Sequence, residues 1–312
     1  MSADETAALT RRVTRLSVAT AAALTLIKAL AWTASGSVAM LGSLADSGLD
    51  LLASLATFFA IRYAVAPPDA GHRYGHGKAE AFASLMQGGL VFASAALVGR
   101  EAIERLSHPA PLTNSGWAMA VMAASILLTG LLIASQSRVL NRTNSVAISG
   151  DRAHYAADMA ANLIALAGIA ISALLHSAAA DALAGLAVAA WLVWGAVGVF
   201  RSASLELMDH ELAGESRQRI VALMTEDPKV RDVHQLRTRA SGPYVHIQMH
   251  ADLDPALSLV EAHRVMVAAE KRLLAAYPAA DILIHPDPRG LAEPHGGPFG
   301  EAYRDEPEPI TR

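Results

Sequence analysis

The chain has no cysteine in its 312 residues. Disulfides and thiolate ligands are therefore excluded, and any metal must be held by imidazole nitrogen and carboxylate oxygen. Charge is also scarce. Asp, Glu, Lys and Arg make up 17% of the residues, against about a quarter in a soluble domain. With 53% hydrophobic residues and a mean hydropathy of +0.32, much of the chain belongs in lipid. There is no basic excess: the net charge is -4, which argues against a nucleic-acid partner. No HExxH, GxSxG or P-loop pattern occurs, so nothing points to hydrolysis. Without a nucleotide site, any transport must draw on an ion gradient.

What is present is a run of apolar segments. Six candidate spans lie at roughly 13–34, 39–65, 80–106, 113–138, 146–176 and 180–205, each near or above the roughly 20 residues that cross a bilayer. No small-residue cleavage site follows the first run, so it reads as a retained helix rather than a signal peptide. Connections are short, and Pro67 and Pro68 break the helix before the second one. Basic residues alternate by side. Arg11, Arg12, Arg15, Arg62, Arg73, Lys78, Arg138, Arg142, Arg152 and Arg201 flank one set of ends, and little beyond Arg100 and Arg105 flanks the other. The positive-inside rule places both termini in the cytoplasm. The expected layout is a cytoplasmic segment over 1–12, a six-helix membrane domain over 13–206, a soluble domain over 207–290 and a disordered Pro-, Gly- and acid-rich tail over 291–312.

The soluble part reads as α-β-β-α-β: a helix at 215–227, strands at 230–241 and 242–254, an amphipathic helix at 258–278 and a strand at 281–285. That order suggests two helices on one face of a three-stranded sheet. The fold class is thus a membrane all-α six-helix domain with a small α+β domain attached.

Chemistry concentrates in three places. Asp46 and Asp50 lie four apart in the second span, as do His154 and Asp158 in the fifth. Residues at i and i+4 share a helix face. Carboxylates in hydrocarbon survive only if paired, watered or bound to a cation, so the four make a candidate tetrahedral site for a divalent metal. Second, Asp69, His72 and His76 have metal-ligand spacing in the glycine-rich loop 69–78. Third, His234, His250, His263, His285 and Asp287 are scattered over four elements of the soluble domain. A lone His on a strand is usually just packed, but five ligand-type residues that converged could hold two metals bridged by one carboxylate.

The stretches GSVAMLGSLADSGLDLLAS, HRYGHGKAEAFASL, DRAHYAADMAAN and LRTRASGPYVHIQMH resemble the cation diffusion facilitator family, on its bacterial zinc and iron efflux branch, from about residue 10 to 290. The resemblance implies a metallochaperone-like cytoplasmic domain and a homodimer in the bacterial inner membrane. It also implies a transport site at Asp46, Asp50, His154 and Asp158, a loop site at Asp69, His72 and His76, and a binuclear cytoplasmic site at His234, His250, His263, His285 and Asp287. Lys78 and Asp209 match a charge interlock at the dimer interface. Pro286, between His285 and Asp287, departs from the family pattern.

The expected activity is efflux of a divalent cation, zinc first, with cadmium, ferrous iron, manganese, cobalt or nickel as alternatives, in exchange for protons. Three oxygens and one nitrogen suit zinc better than magnesium or calcium, which prefer six or more oxygens. The rivals are a metal sensor that does not transport and an intramembrane metalloenzyme, which would need a general base that does not stand out.

Overall fold

The structure is a computed structural model that describes residues 3–35, 38–107, 116–175 and 178–291. Six long helices come first: α1 (Ala3–Ser35), α2 (Val38–Ala64), α3 (Ala79–Ser107), α4 (Gly116–Thr143), α5 (Val146–Leu175) and α6 (Ala178–Leu207). A mixed segment follows: α7 (Gly214–Met224), β1 (Val230–Ser241), β2 (Tyr244–Leu253), α8 (Leu259–Ala276) and β3 (Ala280–Pro288). The chain divides into two compact units, one of Thr6–Leu205 and one of Glu206 onward together with the chain start through Glu5.

Among the described residues, five helices are long and apolar enough to cross a membrane: α1, α2, α3, α4 and α6. The sequence reading of six spans is met for those five. Helix α5 is as long but carries Asp151, Arg152, His154 and Asp158 in its first half. Helix α1 starts at Ala3 rather than at 13. Apolarity marks only the lipid-crossing part, whereas the polar first turns also bury one side through Ala7 and Thr10. Helix α4 runs on past 138 to Thr143, where Asn144 takes the left-handed conformation (φ 51°) that ends a helix. Ser145 then caps α5, its Oγ accepting the Ile148 N–H at 3.4 Å. The expected tail beyond 291 lies outside the described residues.

Helix α5 is the hub of its unit and packs on α2, α3 and α4. Ala157 joins it to Val91 and Ala95 of α3 and to Leu192 and Ala196 of α6. The approach to α3 is close: a Cβ on Gly150 would sit 3.0 Å from the Ser84 backbone, so glycine is needed there.

In the second unit β1 is antiparallel to β2, and β2 is parallel to β3 across the α8 connection. Gly242 (φ 56°) turns the β1–β2 hairpin. Strand residues alternate between faces. Ile247, Met249, Ala251 and Leu253 enter a core with Ile220 and Met224 of α7 and Val265, Met266, Ala269 and Leu273 of α8. The opposite face of β2 presents His246, Gln248, His250 and Asp252. Helix α8 opens on a capping box between Ser258 and Glu261. The Ser258 hydroxyl, bonded to the Glu261 side chain, holds that carboxyl below its usual range.

Candidate metal centres

Three groups of ligand-type side chains converge among the described residues, and their ligand atoms lie within 4.8 Å of one another in each: Asp50, His154 and Asp158; Asp69, His72 and His76; and His234, His250 and Asp287.

The first group sits where α2 meets α5. His154 Nε2 is 3.1 Å from Asp50 Oδ1 and 3.6 Å from Asp158 Oδ2. His154 is 4% exposed, whereas the two carboxylate side chains stay partly accessible. His154 Nδ1 and Asp158 Oδ2 are buried without a hydrogen-bond partner. Buried polar atoms are nearly always satisfied, so these orphans fit a site built to bind something further. Asp46 is not in this group. It is exposed, yet close enough to interact electrostatically with Asp50 and Asp158, as does Lys28 of α1.

Two neighbours were not anticipated. Tyr155 is 1% exposed and its hydroxyl lies 2.7 Å from Ser54 Oγ, one turn beyond Asp50. Asp151 is buried between Gln87 of α3 and Gln136 of α4. The signal was available, since Asp151, Asp158 and either His154 or Tyr155 fall on one helical stripe.

The second group lies in the loop between α2 and α3. Asp69 Oδ1 accepts the backbone N–H groups of Gly71 (2.8 Å) and His72 (2.7 Å). Those bonds, the His72 one foremost, hold its carboxyl below the usual range. Both imidazoles face it, His72 Nδ1 at 3.2 Å and His76 Nε2 at 3.2 Å. His76 is buried and His72 exposed, so the group sits at the surface with one ligand anchored inside. Gly75 (φ 81°) makes the tight turn between the two histidines.

The third group spreads over the face of the sheet away from the helices. His234, His250 and His285 stand directly across β1, β2 and β3. A bulge follows His234, where Gln235 takes φ 49°, and such bulges re-aim side chains. Asp287 is 6% exposed and is the common partner. Its Oδ2 is 2.8 Å from His250 Nδ1 and 3.4 Å from His234 Nε2, and its Oδ1 is 3.2 Å from His285 Nε2. Burial, helped by the neighbouring His285 and His234, pushes the His250 imidazole below its ordinary range, against the pull of Asp287. A neutral ring is the form that binds metal. Asp252 joins the group, with Oδ1 3.3 Å from His234 Nε2; it lies two residues after His250, as Asp287 does after His285. His263 is not brought here. It is exposed on α8, the helix packed on the other side of the sheet. The donor set of three imidazoles and two carboxylates fits a divalent metal.

Asp209 accepts from Arg239 Nη1 at 3.1 Å in the same unit and has φ 56°.

Residues 14–208 match the cation efflux transmembrane domain, and residues 212–289 match the cytoplasmic domain of cation efflux proteins. The chain belongs to the cation diffusion facilitator family. The cation-efflux pump FieF of Shewanella oneidensis is 42% identical over 274 residues, covering 88% of this chain and 92% of that protein. FieF of Escherichia fergusonii is 36% identical over 292 residues, covering 93% and 97%. A solved structure of CzrB in its zinc form is 31% identical, covers 27% of this chain and 98% of that one, and has a TM-score of 0.26. The family member described here is a membrane-spanning cation-efflux transporter and not an enzyme.

Proposed function

We propose that the protein exports zinc across the bacterial inner membrane in exchange for protons, by alternating access. The observation that carries this reading is the meeting of Asp50, His154 and Asp158, with Asp158 Oδ2 left buried without a hydrogen bond. Asp46, one turn from Asp50 on α2, is the fourth donor and closes the shell around the ion. Three carboxylate oxygens and one imidazole nitrogen suit tetrahedral zinc, while magnesium and calcium want more oxygens. Proton coupling follows from competition: a ligand must lose its proton to hold metal, so loading releases protons and protonation expels the ion.

In this reading all six long helices cross the bilayer, with both termini in the cytoplasm as the basic flanks direct. The protein works as a homodimer, with Lys78 and Asp209 in the interface interlock. Asp69, His72 and His76 form a loop site. In the cytoplasmic unit His234, His250, His285 and Asp287 would hold metal, and Asp252 would orient His234. Metal there supplies a crosslink between strands.

The test is flux in proteoliposomes under an imposed pH gradient, with zinc, cadmium, ferrous iron and manganese in turn. The expected result is zinc uptake that collapses with the gradient. Manganese moving as fast as zinc, or zinc flux indifferent to the gradient, contradicts the reading.

A further inference from the structure

A second polar cluster lies beside the transport residues, and the metal chemistry does not use it. Asp151 is 1% exposed, and Gln87, Gln136, Thr57 and Ser17 around it are 0–1% exposed. Asp151 Oδ1 accepts from Gln87 Nε2 at 3.0 Å, and Oδ2 accepts from Gln136 Nε2 at 2.8 Å. Each amide reaches onward. Gln87 Nε2 donates to Thr57 Oγ1 of α2 (2.9 Å) and lies 3.4 Å from the Ala53 carbonyl, and Gln136 Nε2 donates to Ser17 Oγ of α1 (3.2 Å). Tyr155 continues the junction, donating to the Ser17 carbonyl at 3.3 Å. One carboxylate thus connects all of α1 to α5.

Two features show that the carboxylate commands this arrangement. Both glutamines turn their donor ends to Asp151, and the Oε1 of each is left buried with no hydrogen bond. An orphaned acceptor costs free energy, so the amides face Asp151 at the expense of their other ends. The junction also sits in register with the transport residues. Asp151 is three residues before His154 on α5, while Ser54 and Thr57 follow Asp50 on α2. Asp50 meets His154, while Thr57, further along α2, shares Gln87 with Asp151, earlier on α5, so the two helices run antiparallel and the junction is the next layer along both.

We infer that Asp151 is a positioning residue for transport: by gripping Gln87 and Gln136 it fixes the rotation and height of α5 and so aims His154 at Asp50. This rests on the reading of Asp50, His154 and Asp158 as the transport site. Asp151 does not touch the ion. Its loss loosens ligand geometry, which weakens capture more than it slows turnover.

The experiment is zinc flux into proteoliposomes of the full-length protein, with zinc varied at fixed pH gradient. Asp151→Asn is expected to raise KM about tenfold, the scale seen when partners behind a metal ligand are removed, with the maximal rate down by less than about threefold. Moving the carboxylate to α4, in Asp151→Asn with Gln136→Glu, restores an acid–amide pair between the same helices. It is expected to return KM to within about threefold of the starting protein. An Asp151→Asn protein with unchanged KM overturns the inference, and so does a double variant no better than the single. If Asp151→Asn does not fold, Gln136→Leu takes its place: a raised KM supports the inference, and an unchanged KM overturns it. Asp158→Ala runs alongside. Flux surviving there sinks the transport-site reading, whereas flux lost there with Asp151→Asn unaffected sinks only the positioning role.

Discussion

The two best-formed ligand clusters are built in opposite ways. Asp50, His154 and Asp158 come from two helices, with His154 and Asp158 one turn apart and a single imidazole at the centre. His234, His250 and His285 come from three strands, aligned by register, with Asp287 as their shared partner. A set rich in carboxylate with one imidazole exchanges metal for protons readily, because proton and ion compete for the same few atoms. A set richer in imidazole binds borderline metals more firmly. Under the proposed function, passage belongs to the first cluster and retention to the second.

The same contrast explains what could be read in the sequence. A helical site repeats at three and four residues, so Asp50 and the His154–Asp158 pair stood out. The rotation of a helix does not follow from spacing, so the sequence alone does not show that Asp46 is exposed while Asp50 meets His154. A sheet site depends on pairing between segments far apart in sequence. His234, His250 and His285 were visible as ligand types, but their alignment needs the bulge after His234 and the parallel pairing of β3. His263 looked equivalent to them, yet it rides on α8, on the other side of the sheet. Asp151 shares a helical stripe with Asp158, but its partners Gln87 and Gln136 are on other helices, and no local pattern links them to it. The order of elements was legible throughout, since apolar length and strand alternation are local properties.

The sharpest way to break the comparison is to remove one carboxylate from each cluster. Asp158→Ala should lower zinc flux by more than about 100-fold, since the loss of outer partners alone costs 10- to 100-fold. Asp287→Ala should leave more than about a tenth of the flux but strip the metal retained by the purified protein, since it removes the partner of three imidazoles. Flux and bound metal, measured on both variants, decide the matter. Equal losses of flux would erase the distinction between passage and retention.

A smaller effect concerns pH. His250 is held below its ordinary range, chiefly by burial, so the folded cytoplasmic unit resists protonation of that ring more than the unfolded chain does. Its stability without metal should therefore be flat above about pH 6.5, the unfolded imidazole value. It should fall as pH drops from there toward the lowered folded value, because the unfolded state then binds more protons. Thermal melts of metal-free protein at stepped pH measure this. His250→Gln should flatten that part of the curve, and a slope unchanged in the variant would assign the effect to another group.

The smallest effect separates folding from metal binding in the cytoplasmic unit. Ser258 caps α8 on the side of the sheet away from the histidines, and its hydroxyl exchanges hydrogen bonds with Glu261. Ser258→Ala should cost about 1 kcal/mol of stability, as the loss of an N-cap usually does. Retained metal and zinc flux should stay at the starting level, because the ligands are set by strand register and not by α8. Chemical denaturation read alongside metal content tests both halves. In the membrane unit the same separation is not available, since the helix that carries His154 and Asp158 is also the one that packs on α2, α3 and α4. A Ser258→Ala protein that lost its metal would mean that α8 also sets the ligand geometry, and the two units would then be alike in joining fold and site.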